Sequence, residues 1–148
     1  MRISIRPAVA TDEEFVNALT RTVMRPYVEA TWQSDTERED YYRLNRFQQN
    51  GTAIIQVDGI DTGRITITRE AGRIVLDEIH LLPEYQGRGI GQILIGQVLS
   101  EADGLGIPME LKVLKKNPAQ GLYQRLGFVV VREADERLYM TRGVQRKE

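Results

Sequence analysis

Apolar and polar residues alternate at the start of the chain, with Ile3 and Ile5 set against Ser4 and Arg6. This two-residue period ahead of Pro7 predicts a short first strand. The period then lengthens: Phe15, Leu19 and Val23 recur at helical spacing, Thr11 and Glu14 have the spacing of a capping box, and Pro26 is expected to end this first helix. Tyr41, Leu44 and Phe47 lie about one helical turn apart and predict a second helix closed by Asn50-Gly51. Thr52 to Val57, Thr62 to Arg69 and Arg73 to Leu82 are strand-like runs. The Asp58-Gly59 and Glu70-Ala71-Gly72 turns between them predict an antiparallel meander. Ile90, Ile93, Leu94, Val98, Leu99 and Ala102 keep one apolar face through a third helix, which Gly104, Gly106 and Pro108 stop. A strand over Met109 to Leu114, a short helix over Ala119 to Leu126, an apolar strand from Gly127-Phe128 through Val131 and a last strand near Arg137 to Thr141 follow. Gly143 to Glu148 is expected to be a frayed tail.

The order β, α, α, β, β, β, α, β, α, β, β predicts an α/β protein on a central mixed, mostly antiparallel sheet with helices on both faces. Strand four, helix three and strand five form a βαβ unit, expected to cross over right-handedly. At 148 residues the chain fits one domain, residues 1–148. Hydrophobic residues make up 41% and charged residues 28%, which suits a soluble globular protein and argues against disorder. Lys and Arg number 20 against 21 Asp and Glu, so there is no excess positive field for nucleic acid. With no Cys and one His, disulfides are excluded and no metal site is expected. Charges at Arg2, Arg6, Asp12, Glu13 and Glu14 interrupt any leader or membrane span at the start, so no membrane partner is expected and the cytoplasm is the default location.

Gln86-Gly87-Arg88-Gly89-Ile90-Gly91 sits where a strand gives way to a helix. The first backbone N–H groups of a helix lack intrahelical acceptors and lie at the positive end of its dipole, so a phosphate can rest on them, and glycines permit the close approach. A P-loop would need Gly-Lys followed by Ser or Thr, which is missing. A dinucleotide fingerprint would need a third Gly three positions after the second, where Gln92 or Leu94 stands instead. A bare glycine turn used only for tight packing is the plain alternative.

The run Leu81-Leu82-Pro83-Glu84-Tyr85-Gln86-Gly87-Arg88-Gly89-Ile90-Gly91 resembles the pyrophosphate-binding motif of the GNAT superfamily of N-acetyltransferases, with Gln86, Gly89 and Gly91 at its defining positions. Asn117-Pro118-Ala119 through Tyr123-Gln124-Arg125-Leu126-Gly127-Phe128 also resembles that family, in which an Asn and a Tyr flank the fourth helix. The resemblance covers most of the chain from strand two onward. It implies the GNAT-like fold and acetyl-CoA as cosubstrate, with main-chain amides of Gln86, Gly87, Arg88, Gly89, Ile90 and Gly91 on the pyrophosphate. Pantetheine would pair like an added strand with backbone at Ile79, His80 and Leu81, and Asn117 and Tyr123 would also contact the cofactor.

The implied reaction is direct attack of a primary amine on acetyl-CoA in a ternary complex. Tyr123 matches the tyrosine that in the family donates to the departing sulfur. A phenol with a pKa of about 10 is weaker than a thiol at about 8.5, so it can hydrogen-bond the thiolate without full proton transfer. The acceptor ammonium, near ~10.4, must first lose a proton. Glu78 is the candidate base, directly or through a water, with a salt-bridged strand residue as the plain alternative. Simple strand alternation puts Glu78 and His80 on one face and Asp77, Ile79 and Leu81 on the other, a parity that a bulge, which the family often has in this strand, would shift; His80 is either a proton relay or a structural histidine. Lys112 stands where some relatives carry a catalytic Glu, and Asn117 lies closer to Tyr123 than in many relatives.

For the acceptor, a small-molecule or peptide amine, Tyr27, Glu29, Trp32 and Tyr42 are candidates alongside Glu78, since aromatics with a carboxylate suit a cationic amine; helix packing is the alternative. Two other classes compete with the transferase: a noncatalytic CoA-binding module of the same fold, and a purely structural domain. The Phe128-Val129-Val130-Val131 strand could pair within the sheet or across a homodimer, so a monomer and a homodimer are both open.

Overall fold

Every element that the periodicity predicts is present and in the predicted order: β1 (Ile3–Pro7), α1 (Glu13–Thr31), α2 (Asp35–Leu44), β2 (Thr52–Val57), β3 (Ile60–Arg69), β4 (Ile74–Leu81), α3 (Ile90–Leu105), β5 (Met109–Leu114), α4 (Gln120–Arg125), β6 (Val129–Glu133) and β7 (Arg137–Arg142). The structure is a computed structural model and describes residues 1–145. The end of the expected frayed tail, residues 146–148, lies outside the described residues. Just before it, the Gln145 backbone N–H donates to Asp103 at 2.9 Å. The strands lie in one sheet in the order β1-β2-β3-β4-β5-β7-β6, mostly antiparallel, with β4 and β5 parallel. Internal packing divides the chain into two compact units, one of Met1–Thr66 with Glu78–Arg88, the other of Ile67–Asp77 with the chain from Gly89 on.

In the first unit, Asp58 and Gly59 have φ of 52° and 81°, the left-handed pair that turns β2 tightly into β3. α1 buries Val16, Leu19, Thr20, Met24 and Val28. Pro26 does not end it, contrary to expectation: the helix continues to Thr31, with Pro26 on the exposed side while Met24 and Val28 hold the inner face. Nor do Thr11 and Glu14 cap it. A 3-10 turn over Ala10–Asp12 precedes the helix, and the Asp12 carboxylate accepts the Val9 N–H at 2.8 Å and two bonds from Arg6 at 2.9 and 3.0 Å. Arg6 also donates to Asp61 at 2.9 Å, so strand, turn and hairpin share one guanidinium. α2 starts at Ser34, whose hydroxyl accepts the Glu37 N–H, and ends at Leu44 rather than Asn50. Only Tyr41 of the three expected apolar positions is buried; Leu44 is exposed and Phe47 lies beyond the helix, its N–H donating to Asn17 at 2.8 Å.

In the second unit, α3 buries Ile90, Leu94, Ile95, Val98, Leu99 and Ala102. Ile93 is on the exposed side, so Ile95 takes its expected place in the buried stripe. Gly106, at φ 69°, ends the helix in the left-handed region, with its N–H on the Asp103 carbonyl and that of Ile107 on Ala102. β4 pairs with β5 through Ile74–Met109, Val75–Glu110 and Leu76–Leu111. β7 inserts between β5 and β6, so the apolar β6 pairs within the sheet, leaving Val129, Val130 and Val131 exposed at its edge. Among the described residues no helix is long and apolar enough to cross a membrane, and no group of three or more His, Asp or Glu could hold a metal ion.

Candidate active site

β4 does not keep simple alternation. Thr68 of β3 donates to Asp77 while Arg64, on the same face of β3, donates to His80, so odd Asp77 and even His80 face one side and the strand's parity shifts by one residue between them, as a bulge does. Ile74, Leu76 and His80 are buried, and Glu78 Oε2 lies 3.3 Å from His80 Nε2. Burial pushes the His80 imidazole well below its ordinary value, and the neighbouring Arg64 charge pushes it further. The ring is therefore neutral, so its 3.3 Å contact with Glu78 is not an ion pair.

β3 reaches this part of β4 through Gly63. A Cβ on Gly63 would stand 2.3 Å from the His80 carbonyl oxygen and 2.9 Å from a Leu81 methyl, so only glycine allows the two strands to approach this closely. The Leu82 N–H donates to the Thr62 carbonyl at 2.8 Å and closes the pairing.

Beyond Leu82 a short 3-10 turn, Pro83–Tyr85, leads into the glycines. The Gln86 side-chain amide returns to the Leu81 carbonyl at 2.9 Å, tying the turn to the strand end, and the Arg88 guanidinium lies 5.2 Å over the Tyr85 ring. Gly87 and Gly89 have φ of 75° and 80°, and open space surrounds the position a Cβ would take at each. The glycines are thus demanded by backbone conformation. Gly89 is the N-cap of α3 and offers no side chain, which leaves the first-turn amides of Ile90, Gly91 and Gln92 to an outside acceptor. Such a donor set fits a diphosphate.

In the second unit, the Asn117 side chain accepts the Ala119 N–H at 2.9 Å and so starts α4, while the Gln120 amide donates to the Lys115 carbonyl at 2.7 Å. Tyr123 is buried with its ring edge-on to Phe128 at 6.0 Å, and Gly127 at φ 97° turns the chain back so that the Phe128 N–H meets the Tyr123 carbonyl at 3.0 Å. Lys112 is exposed.

The acetyltransferase (GNAT) family profile matches residues 16–128. The chain belongs to the GNAT family. A 98-residue stretch, 64% of this chain, is 38% identical to the [ribosomal protein bS18]-alanine N-acetyltransferase of Haemophilus influenzae; it spans 59% of that relative's length. Two solved structures share the fold. PaiA N-acetyltransferase from Thermoplasma acidophilum, in complex with coenzyme A, is 21% identical with a TM-score of 0.80, over 97% of this chain and 99% of that one. The ribosomal-protein-S18-alanine N-acetyltransferase of Escherichia coli is 18% identical with a TM-score of 0.68, over 99% and 97%.

Of the expected acceptor residues in this GNAT chain, Trp32 and Tyr42 flank the buried Tyr41 ring, each 5.6 Å from it. Glu29 and Tyr42 line a groove of about 240 Å³ with Arg21, Arg25, Arg38 and Glu39, whereas Tyr27 and Trp32 are not among its lining. Arg21 lies 4.3 Å over the Tyr42 ring and grips Glu39 at 2.9 and 3.0 Å, and the three arginines of the groove are matched by Glu29, Asp35 and Glu39, so it carries no excess negative charge for a cationic amine. Sequence reasoning missed Arg64, which donates to His80, and Thr20 and Thr66, which accept from Arg64. The available signal was the run Thr62, Arg64, Thr66, Thr68 at alternate positions, which reads as a solvent face although Thr62, Arg64 and Thr66 are buried.

Proposed function

We propose that residues 1–148 act as one acetyltransferase domain that moves the acetyl group of acetyl-CoA onto a primary amine. The glycine turn carries this reading, because Gly87 and Gly89 hold left-handed conformations that expose unpaired amides at the start of α3 in a chain of the GNAT family. In the proposed complex these amides, from Gln86 to Gly91, hold the pyrophosphate, and backbone from Ile79 to Leu81 pairs with pantetheine.

Glu78 takes a proton from the acceptor ammonium, directly or through a water. The freed amine adds to the thioester carbonyl, and a backbone N–H on β4 stabilises the resulting oxyanion; one such donor is worth about 3–4 kcal/mol. The carbon–sulfur bond then breaks as the former amine nitrogen releases its second proton to solvent, the amide forms, and the thiolate leaves with a hydrogen bond from the Tyr123 hydroxyl. The acceptor is a peptide or small-molecule amine. A peptide beginning with alanine is the first to try, given what the Haemophilus relative acts on. A cytoplasmic location goes with that kind of acceptor.

Acetyl-CoA at ~100 times its dissociation constant is expected to stabilise the protein by about 2.7 kcal/mol, several degrees in melting temperature, while ATP and NAD do not. Thiol release with a panel of peptides, amino acids and polyamines then reads turnover. Binding without release from any amine would leave a CoA-binding module instead. Tyr123→Phe is expected to lower kcat at least about tenfold with KM for acetyl-CoA little changed, and unaltered turnover across the pH range would remove Tyr123 from the mechanism.

A further inference from the structure

Arg64 is a guanidinium with 1% exposure in the middle of β3, a placement that is costly unless its donors are satisfied. Its terminal nitrogens donate to the Thr66 hydroxyl at 3.0 Å and the Thr20 hydroxyl at 3.1 Å; Thr20 in turn donates to the Val16 carbonyl and Thr66 shares a bond with Thr52 at 2.8 Å. Its Nε–H donates to His80 Nδ1 at 3.1 Å. An imidazole nitrogen that accepts from a guanidinium cannot carry a proton, so the single ring proton of neutral His80 must sit on Nε2. That nitrogen faces Glu78 Oε2 at 3.3 Å.

We propose that Arg64 and His80 are positioning residues for Glu78: Arg64 fixes the ring in its Nε2–H tautomer, and the ring donates that proton's hydrogen bond to the carboxylate. The proposal rests on Glu78 being the base. It also decides the role of His80, because a ring with Nδ1 occupied by Arg64 and Nε2 donating has no lone pair with which to take a proton from the acceptor. The charged groups that face the ring are Arg64 from β3 and Glu78 from its own strand; the Thr20 hydroxyl of α1, which does not titrate in this range, reaches the pair only through Arg64. A donor on a carboxylate favours its ionised form, so the relay keeps Glu78 ready to accept a proton at lower pH than it otherwise would.

His80 is the only histidine in the chain, so protein labelled with ¹⁵N-histidine gives one pair of ring nitrogens with no assignment needed. The expected spectrum at pH 7 is a neutral ring with Nε2 protonated, and Arg64→Met is expected to mix the tautomers. A protonated ring, or a predominant Nδ1–H form in the wild type, would overturn the proposal. The functional arm compares acid limbs of kcat/KM. His80→Phe is expected to move that limb up by about one pH unit and to lower kcat about tenfold, while His80→Gln, whose amide offers one acceptor and one donor, stays nearer wild type. If His80→Phe does not fold, Thr20→Val, which unfastens Arg64 without changing volume, is expected to shift the limb in the same direction by less. An unmoved limb in these variants, with the limb lost in Glu78→Gln, would sink the relay and leave Glu78 in place. A limb retained in Glu78→Gln would instead sink Glu78 as base, whatever the tautomer.

Discussion

A single methyl group at Gly63 would be felt at the centre of the proposed cofactor strand. The 2.3 Å approach to the His80 carbonyl is to backbone, which cannot rotate away, so Gly63→Ala must push β4 off β3 at His80 and Leu81. The expected cost is about 1–3 kcal/mol of stability, read from the urea midpoint, together with weaker acetyl-CoA binding by calorimetry. Unchanged affinity would mean that the backbone around His80 does not receive pantetheine. Gly72→Ala is the control, since nothing lies within 4 Å of the added carbon and no left-handed φ is required there. The residue scale also shows what a sequence conceals. Alternation in β3 places Thr62, Arg64 and Thr66 on one face, but which face is covered depends on α1, whose Thr20 comes from 44 positions away. A buried arginine and a solvent arginine look alike until that helix is laid down.

At the scale of elements, local chemistry made the turns and β5 legible, because their causes lie within a few residues. Asp58-Gly59 takes the left-handed pair, Gly106 ends α3, and Met109–Leu114 falls where its apolar run does. Helix limits with tertiary causes were not legible. α1 passes through Pro26 because Val28 has a buried place beyond it, and its start is organised by the charge of Arg6 on a neighbouring strand rather than by Thr11. Gly89 belongs to the legible class and gives a test. A left-handed N-cap costs a residue with a Cβ about 1–2 kcal/mol, so Gly89→Ala should either lose that much stability or rotate the first turn of α3. In both cases acetyl-CoA affinity is expected to fall, because the amides would no longer converge on one diphosphate. Binding at wild-type strength would detach the glycine turn from the nucleotide.

For the whole molecule, one buried ring sets how stability responds to mild acid. The His80 pKa is depressed in the folded state, by burial first and by Arg64 second, while in the unfolded chain it returns to about 6.5. Below that pH the unfolded chain binds one more proton than the folded protein, so the unfolding free energy falls as pH falls. It is full above about 6.5 and drops by about 1.4 kcal/mol for each pH unit until the folded ring itself protonates. Carboxylates enter later: Asp12, lowered by its bonds from Arg6, and Asp61, lowered by Gln56 and then Arg6, contribute stability that is lost only as pH falls below about 3.9. Between about pH 5 and 6.5 the slope therefore belongs to the chain's one histidine. Urea midpoints across that interval should decline in the wild type and stay level in His80→Gln, which has no proton to gain. A level wild-type profile would mean that the folded ring titrates normally, and that Arg64 does not hold it neutral.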